Sequence, residues 1–158
     1  MAQKKTTGGD PVLALESFLP YRLSVLSNTV SSAIAAVYRR RFHLGIPEWR
    51  VMAVLGRYPG LSAADVAERT AMDKVAVSRA VAKLLETGRI SREFADSDRR
   101  RSILRLSPGG QAVYRQVVPQ ALALEAELLE ALSPDERKAL DGILARLQAR
   151  ARGLNPGE

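Results

Sequence analysis

Four consecutive charges, Asp98-Arg99-Arg100-Arg101, stand between two short segments in which apolar and polar residues alternate. Three guanidiniums in a row repel one another on a tight turn, so solubility alone is a poor reason for them. A guanidinium gains free energy in a narrow DNA minor groove, where the negative potential is enhanced. A carboxylate beside phosphates is repelled, which leaves Asp98 to orient a neighbouring guanidinium.

A second constellation lies just upstream. On a helix of 3.6 residues per turn, Val77, Ala80, Val81, Leu84 and Leu85 share one face and Val75, Arg79, Ala82 and Glu86 the other. The second face suits a major groove, where Arg pairs with guanine edges and small apolar groups touch thymine methyls. A surface helix with incidental apolar residues is the competing reading. Lys74, Ser78 and Lys83 flank the same face and could reach phosphates, fixing register without reading sequence. The N–H of Ser62, at a helix start, could do the same; either serine could instead serve its own helix. The candidate DNA contacts are therefore Ser62, Lys74, Val75, Ala76, Ser78, Arg79, Lys83, Asp98, Arg99, Arg100 and Arg101.

Charge follows this placement. The 158 residues carry a formal +7. Residues 69–105 hold ten Arg or Lys against five acids, whereas 121–158 hold five against seven. The central segment is thus suited to a polyanion and the C-terminal one to protein. There is no cysteine and one histidine, which removes thiolate metal sites, disulfides and the usual nucleophilic triads. With no Gly-x-Ser-x-Gly elbow or phosphate-binding glycine loop either, the sequence reads as a non-enzyme without a cofactor or metal site. No apolar run approaches the roughly 20 residues that cross a bilayer, so a cytoplasmic protein with no membrane partner is expected.

The elements that must hold these residues are mostly helical. Asp10-Pro11 and Pro20 predict a short helix and then a long one to about Phe42, after a disordered tail over 1–10. Along the long helix Leu19, Leu23, Leu26, Val30, Ala33 and Val37 form a heptad seam that wants a helical partner, and Ile34, Tyr38 and Phe42 a second stripe. Pro47 opens a helix through Leu55, Ser62-Ala-Ala-Asp65 a short one, and Asp73 caps another that Gly88 closes. Two helices joined by a tight turn form a helix-turn-helix. Residues 89–107 predict a short hairpin with its charged tip near Asp96–Arg99. Ser107-Pro108 and Ser133-Pro134 open two final helices, the first kinked at Pro119, the last with Leu140, Ile143, Leu144, Leu147 and Ala151 on one face. The fold class is mainly α with a small β-hairpin wing. It comprises a winged helix-turn-helix over 46–107 and terminal helices over 11–45 and 108–153. Those helices either complete one monomeric core or pair two copies; a central unit of about sixty residues could not cover them alone, which favours a homodimer.

With Asp73-Lys74-Val75-Ala76-Val77-Ser78-Arg79, Lys83-Leu84-Leu85-Glu86-Thr87-Gly88-Arg89-Ile90 and Asp96-Ser97-Asp98-Arg99-Arg100-Arg101 followed by Leu104-Arg105-Leu106-Ser107-Pro108-Gly109-Gly110, the chain resembles the MarR family of bacterial regulators. The resemblance implies a triangular dimer whose terminal helices pair the subunits. Each winged helix would dock on half of a palindromic double-stranded operator, with half-site centres ~34 Å apart. It makes Arg100 the wing-tip contact with Asp98 holding it, while a one-residue shift in the turn would exchange the roles of Arg99 and Arg101. It also implies a small-molecule effector, in a cleft lined here by Tyr38, His43, Trp49 and Arg50. Tyr38 and Trp49 as core residues, and His43 as a bystander, are the competing reading. Ile46-Pro47-Glu48-Trp49-Arg50-Val51 is similar to relatives controlling aromatic-acid catabolism, which suggests an aromatic acid or an acyl thioester. The expected function is a ligand-released repressor; a constitutive architectural DNA binder is the alternative.

Overall fold

Pro20 in the first turn fixes where the long helix begins, because proline there loses no hydrogen bond and its φ already suits a helix. Helix α1 spans Leu19–Phe42 and ends on His43, whose left-handed backbone (φ 54°) turns its N–H back to the Arg39 carbonyl. The computed structural model describes residues 10–95 and 98–154, with backbone alone at 95 and 98–101. Residues 1–9 of the expected tail over 1–10, and Asp96 and Ser97 of the expected turn, lie outside the described residues.

The short helix expected from Pro11 does not form. Residues 11–14 are non-helical and Leu15–Ser17 make a single 3-10 turn. A helix nucleus is costly and needs packing to sustain it, yet Val12 and Leu13 face solvent.

The remaining boundaries follow their caps. Helix α2 spans Ile46–Arg57, α3 Ala63–Thr70 and α4 Lys74–Glu86. Strands β1 (Ile90–Ala95) and β2 (Asp98–Leu106) pair antiparallel, Ile90 opposite Leu106 and Arg92 opposite Leu104, with an irregularity at Phe94 and Ala95. Leu61 adds one more bridge to Leu104, its carbonyl accepting the Leu104 N–H at 2.8 Å. That bridge closes the turn at Gly60, whose φ of +83° favours a residue without Cβ. Helix α5 (Pro108–Leu129) runs through Pro119, and α6 (Pro134–Arg152) opens with the reciprocal Ser133–Glu136 capping box.

One core sits around α2. Val51, Met52 and Leu55 pack against Val66 of α3, Val77, Val81 and Leu84 of α4, Leu104 of β2, and Val113 and Val117 of α5. Much of the apolar surface lies outside it. Leu23 and Leu26 on α1, Leu122 and Leu128 on α5, and Ile143 and Leu147 on α6 are each 40% exposed or more, and no residue of α6 is buried. Among the described residues the first half of the α1 heptad seam thus stays largely exposed, and exposed apolar side chains in such a row mark a candidate interface. Among the described residues no helix is long and apolar enough to cross a membrane.

Candidate nucleic-acid interface

Helices α3 and α4 are joined by a turn at Ala71, which adopts a left-handed conformation (φ 53°). Asp73 then fixes the start of α4, its Oδ1 accepting the Ala76 N–H at 2.8 Å. From that start the helical repeat sorts the side chains. Val77, Ala80, Val81 and Leu84 are buried against α2 and α3, whereas Val75, Arg79, Ala82 and Glu86 point outward. Val75 is 60% exposed, a cost that the packing of the single chain does not offset.

Lys74 and Ser78 lie on one flank of this face and are exposed. They line an open groove of about 580 Å³ with Ala64 and Ala67 of α3, Ala82 of α4 and Arg92 of β1. Arg92 was not singled out by its sequence context, although the signal was present. It occupies the same strand face as buried Ile90, where an alternating strand ordinarily continues apolar. Ala76 is half-buried, so its side chain belongs to the flank and not to the exposed centre.

Two of the expected phosphate contacts are differently engaged. The Ser62 N–H donates to Asp65 Oδ2 at 3.1 Å and its Oγ accepts the Asp65 N–H at 3.1 Å, a reciprocal cap of α3. The geometry therefore favours the capping alternative over a phosphate contact through that N–H. Ser62→Ala is expected to lower unfolding free energy by about 1 kcal/mol and to leave the salt dependence of DNA binding unchanged, as read by urea denaturation and a salt titration. Lys83 lies on the other flank of α4, with Nζ 3.8 Å from Glu48 Oε1.

Asp98, Arg99, Arg100 and Arg101 lie on β2, so Asp98 and Arg99, expected in the turn, instead open the second strand, because the pairing of Ala95 with Asp98 extends the ladder past them. At the hairpin base, Arg105 Nε stands 3.6 Å from Glu93 Oε2, both exposed. A pair so exposed contributes little to stability.

The four residues proposed to line an effector cleft are brought only partly together. Tyr38 is buried and stacks on Trp49 (5.5 Å between centroids), which stacks in turn on Tyr114 of α5 (6.0 Å). The two aromatics thus pack mainly in the core, their space filled by a third ring that periodicity alone could not assign to them. Burial pushes the Tyr38 hydroxyl up to about 12, opposed by the charges of Arg39 and Arg50 and reinforced by Glu48. Arg50 donates from Nη2 to Ser31 Oγ at 3.3 Å, tying α2 to α1. His43 closes α1 at the surface, exposed.

Residues 44–101, which contain α2, the helix-turn-helix and the start of β2, match the MarR family model. Solved structures extend the likeness over nearly the whole chain. A MarR/EmrR family transcriptional regulator from Acinetobacter sp. ADP1 superposes with a TM-score of 0.81 at 26% identity, covering 89% of this chain and 99% of its own. Over residues 44–101 the chain carries the signature of the MarR family of transcriptional regulators, and its fold as a whole is theirs.

Its curated relatives within that family are regulators by name. An HTH-type transcriptional repressor of Mycobacterium tuberculosis is 26% identical over 131 residues, 82% of this chain and 91% of its own length. A protein named for regulation of the hcr operon in Thauera aromatica is 30% identical over 97 residues, 61% of this chain; the match spans 58% of that relative's length. The MarR assignment matches the architecture described above, six helices and one antiparallel hairpin among the described residues.

Proposed function

We propose that this MarR-family protein is a homodimeric, sequence-specific repressor that binds a palindromic duplex operator in the cytoplasm and is released by a small ligand. The observation that carries the reading is the exposed face of α4. Val75, Arg79 and Ala82 stand outward beside a groove rimmed by Lys74, Ser78 and Arg92, matching apolar and guanidinium groups to base edges and cations to phosphates. Wing residues Arg99, Arg100 and Arg101 extend the positive surface, with Arg100 entering the minor groove and Asp98 orienting it. The unpartnered apolar faces of α1, α5 and α6 supply the dimer contact.

Ligand release draws support from relatives of the same fold. The regulator BpsR of Bordetella bronchiseptica has its DNA binding regulated by 6-hydroxynicotinic acid, and PcaV of Streptomyces coelicolor was solved with its natural ligand. An aromatic acid or acyl thioester acting near Tyr38, His43, Trp49 and Arg50 fits this precedent, with Arg50 and His43 as its polar partners.

The test is a gel shift on the duplex upstream of the protein's own gene, with and without a panel of aromatic acids and acyl thioesters. Release by one of them, accompanied by thermal stabilisation, is expected. Binding that no ligand alters would favour the constitutive architectural alternative. In the same assay Arg100→Ala should bind more weakly with a shallower salt slope, because each phosphate neutralised releases counterions; equal affinity and slope would remove the wing from the mechanism.

A further inference from the structure

Glu48 is buried, 9% exposed, while the other acids among the described residues lie nearer the surface. Burying a carboxylate is costly unless both oxygens find partners. Oε2 accepts the Gly45 N–H at 2.5 Å and so caps the start of α2. Oε1 faces Lys83 Nζ across to α4, at 3.8 Å. Capping alone would not require the charge, since a neutral Gln serves the same position. Burial beside a lysine on a different helix does.

The position of Lys83 agrees. Successive residues of a helix advance by about 100°, which places Lys74 and Ser78 on one side of Arg79 and Lys83 on the other, toward α2. Half of the Lys83 side chain is withdrawn from solvent along that path. Glu48 also stands where three elements meet. It follows the turn out of α1 at His43–Gly45, its charge is felt by Tyr38 in the last turns of α1, and its second oxygen reaches α4.

We infer that Glu48 is a positioning residue that clamps α4 to the junction of α1 and α2, and that Lys83 serves this clamp and not a DNA phosphate. Movement of the end of α1 would then be passed to the helix proposed to read DNA through one ion pair and one helix cap. DNA binding by α4 is assumed only in the second of the two measurements that follow.

Glu48→Gln keeps an acceptor for Gly45, and Lys83→Met keeps the apolar stem; each removes one charge. In the full-length protein, hydrogen exchange of the last-turn amides of α4 should quicken roughly two- to fivefold in either variant, with no further increase in the double variant. Lys83→Arg should exchange as the parent does. Unchanged exchange in Glu48→Gln, or effects that multiply in the double variant, would overturn the clamp. On the upstream duplex, Lys83→Met should weaken binding while leaving the salt slope as it was, and should have no effect in the Glu48→Gln background. A slope reduced by about 0.9 would place Lys83 on a phosphate and contradict the inference. A parent protein that binds no duplex would count against the DNA reading, and the exchange measurement would still decide the clamp.

Discussion

Arg79→Ala is expected to lower affinity for the specific operator by about 1 to 3 kcal/mol, roughly 5- to 150-fold, while leaving binding to unrelated duplex nearly unchanged. The side chain stands at the centre of the exposed face of α4, between Val75 and Ala82. A guanidinium there can bond a guanine at O6 and N7 together, and losing that bidentate contact removes discrimination more than attraction. Lys74→Ala serves as the contrast, since a phosphate contact weakens specific and unrelated duplex alike and reduces the salt slope. Competition binding against single-base operator variants separates the two. If the Arg79→Ala protein keeps its full preference at every position, the reading face lies elsewhere on α4.

Gly110→Ala is expected to destabilise the fold by about 1 to 3 kcal/mol, although helix propensity alone gives the opposite sign by up to ~1 kcal/mol. Gly110 lies in the first turn of α5, buried, where a Cβ would overlap the carbonyl oxygen of Arg89. That carbonyl already accepts the Ser107 N–H at 3.0 Å, and Ser107 Oγ caps the helix through the Gly110 N–H at 3.0 Å. Backbone on both sides leaves no flexible side chain to yield, so α5 must shift away from the base of the hairpin. Gly142→Ala in α6, whose Cβ would meet nothing within 4 Å, should instead stabilise by roughly 0.5 to 1 kcal/mol. Urea unfolding at one fixed protein concentration, as the proposed dimer requires, measures both. Equal signs for the two variants would contradict the close approach at Gly110.

Where local chemistry decides, the sequence was a sufficient guide. Ser62, Asp73, Ser107 and Ser133 each accept the N–H three residues on, so four helix starts could be read from single residues. The outward face of α4 followed from period alone. What was not legible depended on which neighbour claims a group. Spacing places Lys83 beside the exposed face but says nothing of Glu48, far back in the chain, and it brings Tyr38 near Trp49 without the Tyr114 ring that packs against them. The cap at Asp10-Pro11 is locally sound, yet no core lies beneath that segment to sustain a helix. An arginine in a strand, such as Arg92, reads as a solvated residue, and only the groove that α3 and α4 form beside it gives it another role.

The central claim is that two copies, paired through α1, α5 and α6, present two α4 helices and two wings to one duplex. Hydroxyl-radical footprinting of the upstream duplex with the full-length protein tests it most directly. Two protected half-sites in palindromic relation, with centres about one helical turn (~34 Å) apart and additional minor-groove protection outside them from the wings, are expected. Protection of a single half-site, or uniform protection without symmetry, would contradict the account.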